Sequence, residues 1–345
     1  MNNRLYTVSL TGAAGNIGST LIYQLLQPRL FSDEPYKVKL KLAELPNQLN
    51  RLKGLAMEIE DSFFDTLHSI EIYEDCLEAF SGADCIILCG ARPRTMGMER
   101  KDLLGINARV IERQAQLINE TATANTKVLM IGNPSNTNAL IFKQIAKKVN
   151  PDNITSLSQL DLHRALGLIE KECSFPPRSV NNVRVYGNHS KNMVIDINRA
   201  YALINKEEEE KHSKSGQSRI QIKDVLTKEF VEGSLQKIVQ QRGYEMIKTL
   251  GCSVSYSAAY AICRHLRAWF CGSEKVLAVG KIVTDFMGVP IELCVTLPVI
   301  CREGKFRVVE GAEDDLNENQ RTKIKTALKE LIQERKIAFE LLGIN

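Results

Sequence analysis

The chain has 345 residues, of which 44% are hydrophobic and 25% charged, and its formal net charge is +4. Such a length and composition are typical of a soluble globular protein built from two domains or one large α/β unit. Basic residues are interleaved with acidic ones, which disfavours nucleic-acid binding, and no apolar run approaches the ~20 residues that span a membrane.

The nine cysteines are scattered along the chain and form no CxxC pair. Buried, reduced thiols are the favoured interpretation, and they indicate a reducing compartment. The sequence passes from Met1 almost directly into a strand pattern and leaves no room for a signal peptide, so a cytoplasmic location is expected. The spacing of histidines and cysteines is not that of a metal site, and no metal is expected.

A glycine-rich turn separates the first predicted strand, residues 5–10, from the first predicted helix, residues 17–26. Its sequence, TGAAGNIG, has the spacing G-x-x-G-x-x-G. Between a strand and a helix, such glycines allow a tight turn, a close approach of the backbone to a pyrophosphate, and close packing of helix on strand. The helix N-terminus then presents N–H groups to the phosphates. A glycine-rich turn without a ligand is the alternative.

An acidic residue, Glu44, follows the second predicted strand, residues 38–42. In a dinucleotide-binding fold, an acid at this point accepts hydrogen bonds from the adenosine ribose and repels a 2′-phosphate, which favours NAD over NADP. Glu44 lies further from Gly12 than the usual ~20 residues, which a longer first crossover explains. The alternative is an ordinary acid at a strand end.

Strands and helices alternate through the rest of the first half. Helices are predicted over residues 50–63 and 104–124, and strands over residues 70–73, 84–90 and 128–131. This alternation predicts a doubly wound parallel sheet, which binds ligands at the carboxyl ends of its strands. The glycine turn, Glu44, an arginine-rich loop and Asn133 all fall at such ends.

The arginine-rich loop follows the predicted buried strand and reads ARPRTMGMERKD over residues 91–102. Its proline and glycine exclude a continuous helix. Guanidinium groups are always charged and hold carboxylates in a planar fork, so a mobile loop carrying Arg94 and Arg100 suits the capture of a small anion. A solvated basic loop is the alternative.

The pattern changes at about residue 158. A helix predicted over residues 157–172 places Asp161 and Arg164 on one face. His189 lies in a loop (GNHS, residues 187–190) between strands predicted at 183–186 and 194–203. A histidine gives and takes a proton near neutral pH, and Asp161 is a candidate for the carboxylate that orients it.

The remaining chain is predicted to contain helices, three antiparallel strands and a charged surface insert. The helices cover residues 222–250, 256–270 and 315–342, and the strands cover residues 275–283, 294–300 and 306–309. Residues 206–217 form the insert, which is interpreted as a solvated loop and not as a binding tail.

Five motifs together resemble those of the malate dehydrogenases, in particular the cytosolic-type branch of the lactate/malate dehydrogenase superfamily. They are residues 11–18, the loop with Arg94 and Arg100, GNP at 132–134, LDxxRA at 160–165 and GNHS at 187–190. They occur in the family's order and at its spacing. The resemblance implies a Rossmann NAD-binding domain over residues 1–157, an α+β catalytic domain with a twisted antiparallel sheet over residues 158–345, and a homodimer.

The resemblance also implies a role for each site residue. His189, oriented by Asp161, would donate and accept the proton. Arg164 would bind the C1 carboxylate of malate or oxaloacetate, Arg100 would polarise the carbonyl, and Arg94 would pair with the distal carboxylate. Asn133 would bind substrate and help to place the nicotinamide. The other NAD-binding residues would be Gly12, Gly15, Asn16, Ile17, Gly18 and Glu44.

Three features depart from the family pattern. Glu44 stands where the family more often has Asp, Arg92 is an additional arginine without an assigned role, and residues 251–257 resemble the family's serine-rich pocket segment only loosely. Two alternatives remain: a dehydrogenase of another 2-hydroxy acid such as lactate, and a catalytically silent NAD-binding protein. Lactate would leave the Arg94 charge unpaired in a closed site, and the intact His189 disfavours a silent protein.

Overall fold

The first half of the chain alternates strands and helices around a parallel sheet. The computed structural model describes residues 4–74, 76–92, 100–204 and 219–344. The strands are β1 (Arg4–Thr11), β2 (Tyr36–Ala43), β3 (Leu67–Tyr73), β4 (Cys85–Leu88), β5 (Lys127–Met130) and β6 (Ile154–Leu157). The helices are α1 (Asn16–Leu25), α2 (Leu49–Asp61), α3 (Cys76–Phe80), α4 (Arg100–Thr121) and α5 (Ser135–Ile145).

The six strands pair in parallel in the order β3-β2-β1-β4-β5-β6. This is the strand order of dinucleotide-binding sheets, in which the order reverses between β1 and β4 and opens a crevice at the carboxyl ends. The predicted doubly wound parallel sheet is therefore confirmed.

The second half of the chain combines helices with antiparallel strands. Its helices are α6 (Gln159–Glu172), α7 (Gln236–Leu250), α8 (Tyr256–Cys271) and α9 (Glu318–Leu342). Its strands are β7 (Val180–Asn181), β8 (Arg184–Tyr186), β9 (Val194–Asp196), β10 (Tyr201–Leu203), β11 (Arg219–Gln221), β12 (Ser273–Val283), β13 (Leu293–Arg302) and β14 (Lys305–Val308). The predicted antiparallel strands β12, β13 and β14 do not form a separate sheet. Strand β12 pairs with β6, so the three strands extend the parallel sheet to nine strands.

Strand β2 alternates lysines with apolar residues, which is unusual for a strand with neighbours on both sides. The structure gives each lysine a partner. Lys39 forms an ion pair with Glu71 on β3. The Lys41 ammonium, on a side chain that is almost fully buried, donates to the backbone oxygens of Glu78 and Ser81 at 2.8 Å each. Burial lowers the pKa of Lys41.

Two predicted elements were wrong in their continuity. The strand predicted over 194–203 is two strands, because the Asp196 carboxylate accepts the N–H of Asn198 at 3.0 Å and turns the chain. The helix predicted over 222–250 is a 3₁₀ turn, Ile222–Asp224, then a π-helix, Phe230–Leu235, and then α7. Thr227 accepts the N–H of Phe230 at 3.3 Å and begins this second helical segment.

Two of the predicted segments cannot be compared with the structure. The charged insert at 206–217 and most of the arginine-rich loop, residues 93–99, are outside the described part of the chain. Within that part, every helix is too short or too polar to cross a bilayer.

A buried histidine, His265 on α8, is expected to make the fold sensitive to acid. Its Nε2 lies 3.1 Å from the Thr155 hydroxyl, and its ring packs against Trp269 and Phe306. Burial, reinforced by the charge of Lys127, lowers its pKa to about 3. The unfolded chain, with a histidine pKa near ~6.5, binds the extra proton first, so the free energy of unfolding falls as the pH drops below that value, by up to ~1.4 kcal/mol per pH unit.

His265→Phe removes this titration and should reduce the pH dependence, leaving the part due to His163, whose pKa burial lowers to about 4. Urea unfolding at about pH 7 and about pH 5 measures the slope, which depends on the protons taken up on unfolding. The exposed His68 is the control position, and His68→Gln should keep the original slope. An unchanged slope in His265→Phe would contradict this account.

Candidate active site

The glycine turn packs directly against the end of β4. Gly12 has φ +65°, and a Cβ there would lie 2.8 Å from the Cα of Gly90, so only glycine fits. The Gly15 N–H donates to the Gly12 oxygen at 3.0 Å, and Gly15 forms the N-cap of α1. The first turn of α1 contains the N–H groups of Asn16, Ile17 and Gly18. Such groups have no acceptor within their own helix and are suited to binding an anion.

Glu44 joins the end of β2 to the glycine turn. One carboxylate oxygen accepts the Ala14 N–H at 2.9 Å, and the other accepts the Leu45 N–H at 2.9 Å. These two bonds fix the carboxylate beside the turn. An ionised carboxylate has about four acceptor sites, so the group still has capacity for ribose hydroxyls. The polar groups at this crevice, which combine helix amide donors with a fixed carboxylate acceptor, fit a dinucleotide.

Asn16 links the glycine turn to the second half of the chain. Its side-chain amide donates to the backbone oxygen of Ser253 and lies 3.4 Å from the Ser253 hydroxyl. The sequence singled out residues 251–257 without choosing a serine. The structure places Ser253 in contact with Asn16, at the end of the glycine turn.

A buried asparagine, Asn107 on α4, holds two loops together and was not predicted from the sequence. Its side-chain oxygen accepts the Arg92 N–H at 2.8 Å, and its amide donates to the Arg92 oxygen at 3.1 Å and the Asn133 oxygen at 2.7 Å. Asn107 is fully buried. A polar residue on the apolar face of α4, next to Ala108, was the available signal.

The predicted substrate arginines are described to different extents. Arg94 lies outside the described residues, and Arg100 is the first residue of α4, where only the backbone is described. Asn133 is exposed and precedes a cis peptide bond to Pro134, beside the start of the arginine loop. The structure thus brings Asn133 to the first residues of that loop through Asn107.

His189, Asp161 and Arg164 form one connected unit. The His189 Nδ1 lies 2.5 Å from one carboxylate oxygen of Asp161, and the Arg164 guanidinium donates to the other at 3.2 Å. The Asp161 side chain is 1% exposed, whereas those of His189 and Arg164 are 26% and 12% exposed. A buried carboxylate therefore orients two groups that are themselves partly exposed.

The geometry determines how this unit works. Because the His189 Nδ1–H donates to Asp161, any proton exchange at this ring would take place at the opposite nitrogen, Nε2. Asp161 lies in the first turn of α6, where the helix dipole favours its negative charge. Burial lowers the pKa of Arg164, and the Asp161 carboxylate opposes that effect. An imidazole, which can accept a proton, and a guanidinium, which can bind a carboxylate, therefore lie on the same Asp161 carboxylate.

The N-terminus of α5 supports the histidine loop from the first half of the chain. The Asn136 side-chain oxygen accepts the His189 N–H at 3.4 Å, and its amide donates to the Cys294 oxygen at 3.1 Å. Helix α5 was itself missed in the sequence. No group of three or more potential metal ligands gathers among the residues that the structure describes.

Family models cover almost the whole chain on either side of residue 157. The model for the lactate/malate dehydrogenase NAD binding domain matches residues 6–155, and that for the lactate/malate dehydrogenase alpha/beta C-terminal domain matches residues 158–342. The chain belongs to the lactate/malate dehydrogenase family. The cofactor of this dehydrogenase is NAD, as the sequence predicted, and the enzyme is an oxidoreductase.

Malate dehydrogenases and lactate dehydrogenases both resemble this chain over almost its full length. A probable malate dehydrogenase 3 of Dictyostelium discoideum is 35% identical, covering 99% of this chain and 100% of that protein. The cytoplasmic malate dehydrogenase 1 of Arabidopsis thaliana is 34% identical, covering 97% and 98%. The solved structure of a Trichomonas vaginalis lactate dehydrogenase in complex with NADH and oxamate has a TM-score of 0.88 at 31% identity and covers 98% of this chain and 99% of that chain. The predicted resemblance to cytosolic-type malate dehydrogenases is confirmed.

Proposed function

We propose that this dehydrogenase interconverts malate and oxaloacetate with NAD. The observation that carries the proposal is the buried Asp161 carboxylate, which holds His189 and Arg164 at once. Proton transfer and the binding of a carboxylate are thereby fixed relative to each other. A 2-hydroxy acid, with a hydroxyl next to a carboxylate, matches this pair of groups.

The residues would act as follows during malate oxidation. Arg164 binds the C1 carboxylate, and the Nε2 of His189 accepts the proton of the C2 hydroxyl. Asp161 stabilises the imidazolium that forms, because its negative charge lies 2.5 Å from Nδ1. Bound NAD supplies the acceptor for the hydride that leaves C2. In the reverse direction His189 returns the proton to the forming alkoxide.

Two arginines of the loop complete the proposal. Arg100 polarises the carbonyl oxygen, and Arg94 pairs with the second, distal carboxylate. Closure of a loop that carries two guanidinium groups would expel water and strengthen these charged contacts. Asn133, beside the loop's anchored start, binds substrate and helps to place the nicotinamide.

The NAD site is proposed to consist of the α1 N-terminus, Glu44 and Asn133. Gly12 gives the turn its close approach to β4, and Gly15, whose N–H donates to the Gly12 oxygen, lets the backbone approach the pyrophosphate. The backbone amides of Asn16, Ile17 and Gly18 face the pyrophosphate. Glu44 accepts bonds from the adenosine ribose and repels a 2′-phosphate. Its extra methylene, relative to Asp, lets the carboxylate reach the Ala14 N–H while it stays at the end of β2.

A test of the reaction uses the absorbance of the reduced nicotinamide. Oxaloacetate should drive the oxidation of NADH, malate should drive the reduction of NAD, and NADPH should be a poor substitute because of Glu44. Folded protein that binds NADH but turns over no 2-oxo acid would instead support a catalytically silent NAD-binding protein. NADPH turnover equal to that of NADH would contradict the role of Glu44.

The second candidate function is the oxidation of another 2-hydroxy acid such as lactate. It has support from the lactate dehydrogenase structure, which matches this fold closely. The discriminating group is Arg94, since a monocarboxylate leaves its charge unpaired in a closed site.

We also propose a cytoplasmic location, which fits the buried thiols of Cys85, Cys263 and Cys294. Burial raises the pKa values of these thiols to about 12.

A homodimer is proposed on the basis of an exposed aromatic face. Tyr23 on α1 and Tyr256 on α8 line one groove and are 49% and 79% exposed. Tyrosines are enriched at protein interfaces, because the ring buries apolar area while the hydroxyl still forms hydrogen bonds. Sedimentation equilibrium should therefore give twice the chain mass of 38.7 kDa, and Tyr256→Asp should reduce it to one chain mass. A monomer for the unaltered protein would contradict the proposal.

A further inference from the structure

The loop that carries His189 rests on one face of the terminal helix α9. Ala327, Glu330 and Glu334 are three and four residues apart and so share that face. Gly187, at the start of the loop, has φ +99°, and a Cβ there would lie 2.8 Å from the Ala327 Cβ. The loop backbone thus lies directly against the helix.

Glu330 gathers three side chains of this loop. Its Oε2 accepts the Ser190 hydroxyl at 2.6 Å, the Asn188 amide at 3.1 Å and the Asn192 amide at 3.3 Å. Asn188 and Ser190 are the immediate neighbours of His189 on either side. One carboxylate therefore holds the backbone on both sides of the histidine.

Glu334 ties the same loop to the interior. It is only 5% exposed, and its carboxylate accepts the Asn188 amide at 3.4 Å and the hydroxyl of Thr137 on α5. Thr137 follows Asn136, whose side-chain oxygen accepts the hydrogen bond from the His189 N–H. Helices α5 and α9 thereby hold the loop from two sides.

The buried carboxylate of Glu334, beside the half-buried carboxylate of Glu330, is a poor choice for stability alone. Removing carboxylates from water costs free energy that hydrogen bonds only partly return, and well-packed apolar residues often stabilise as much or more. Their hydrogen bonds instead converge on one short loop. The gain lies in a fixed loop geometry, because small displacements of a reacting group slow a reaction strongly.

We propose that Glu330 and Glu334 are positioning residues that hold His189 in register with Asp161. The inference rests on the proposed role of His189 in proton transfer. Among the described residues, the charged groups that face this loop include Asp161 and Arg164 from α6 and the two glutamates from α9, and the loop itself carries the exposed Lys191. The glutamates add negative charge and hold the Nδ1–Asp161 bond, and both effects favour the protonated imidazole.

The test compares Glu330→Gln with Glu340→Gln. Glutamine keeps the size of residue 330 but loses the charge and one strong acceptor. Glu340 is on the same helix, 67% exposed, and pairs only weakly with Lys336 at 3.9 Å, which makes it a matched control. For Glu330→Gln, kcat should fall roughly tenfold, consistent with a displaced proton acceptor, while KM stays within about twofold.

Histidine-selective NMR titration of the protein without substrate supplies a readout independent of activity. The His189 resonance, assigned from its loss in His189→Asn, should titrate at a lower pH in Glu330→Gln and at the original pH in Glu340→Gln. The acid limb of the kcat profile should shift in the same direction. If the role of Glu330 were limited to stability, neither the His189 titration nor the acid limb of the kcat profile would shift.

The outcomes separate this inference from the proposed reaction. If the unaltered protein reduces no 2-oxo acid, the proposed function fails while the NMR titration still tests the positioning. Unchanged kcat or an unchanged His189 pKa in Glu330→Gln overturns the inference. Ser190→Ala, which removes only the bond at 2.6 Å, should give a smaller change in the same direction and decides the matter should Glu330→Gln not fold.

Discussion

Replacing His189 by asparagine is expected to reduce kcat for malate oxidation about a thousandfold, within the ~10²–10⁴-fold range of general acid–base catalysis. Asparagine retains a hydrogen-bond donor toward Asp161 but has no group that accepts the hydroxyl proton near neutral pH. NADH binding should stay unchanged, because the glycine turn and Glu44 lie on other elements. Stopped-flow or steady-state absorbance of NADH measures the rate, and NADH fluorescence measures the binding.

Asp161→Asn provides a second test of the same unit. It removes the negative charge 2.5 Å from His189 Nδ1 and leaves the Arg164 guanidinium without its carboxylate partner. Both kcat and KM should therefore worsen, whereas His189→Asn should act mainly on kcat. His68 is exposed, and the control variant His68→Asn should have the rate of the unaltered protein.

A His189→Asn enzyme with a rate within about threefold of the original would rule out proton transfer by His189, because the loss expected for a general base is far larger.

Replacing Arg94 by glutamine is expected to shift the preference between oxaloacetate and pyruvate strongly towards pyruvate. Truncating one partner of a desolvated charge pair costs ~2–5 kcal/mol, so kcat/KM for oxaloacetate should fall by roughly 10²–10³-fold. Pyruvate has no distal carboxylate, so it no longer leaves an unpaired charge in the closed site and should be used faster than before. The measurement is the ratio of the two kcat/KM values.

Arg92→Gln is the matched control for this change. Arg92 lies two residues earlier in the same loop, and it is the backbone of Arg92, not its exposed guanidinium, that Asn107 holds. The substitution removes an equal charge from the loop and should keep the preference for oxaloacetate. If Arg92→Gln shifted the preference towards pyruvate and Arg94→Gln did not, the assignment of the distal anchor would be wrong.

The sequence predicts those parts of the site whose chemistry is carried by local patterns. The glycine turn is flanked by a strand and a helix with clear apolar periodicity, and Asp161 and Arg164 share a helical face. Each pattern therefore fixes a position on an element. The parallel sheet then follows from the alternation of elements, and the strand ends meet at one crevice.

The rest depends on contacts between distant parts of the chain. Asn107, Asn136 and Glu330 act through side-chain hydrogen bonds to loops that are far away in the sequence, and a lone polar residue on a helix gives little warning of such bonds. Helix α5 was missed because its first turn, residues 135–138, is polar yet buried. The join between β6 and β12 could not be predicted either, since antiparallel pairing between strands so far apart in the sequence leaves no local trace.

The most direct measurement of the central claim is the ratio of kcat/KM for oxaloacetate to kcat/KM for pyruvate, with NADH and the unaltered protein. A site built to pair with a second carboxylate should reject a substrate that lacks it, so oxaloacetate should be favoured by ~10³-fold or more. Pyruvate turnover equal to or faster than that of oxaloacetate would contradict the assignment and identify a lactate-type dehydrogenase.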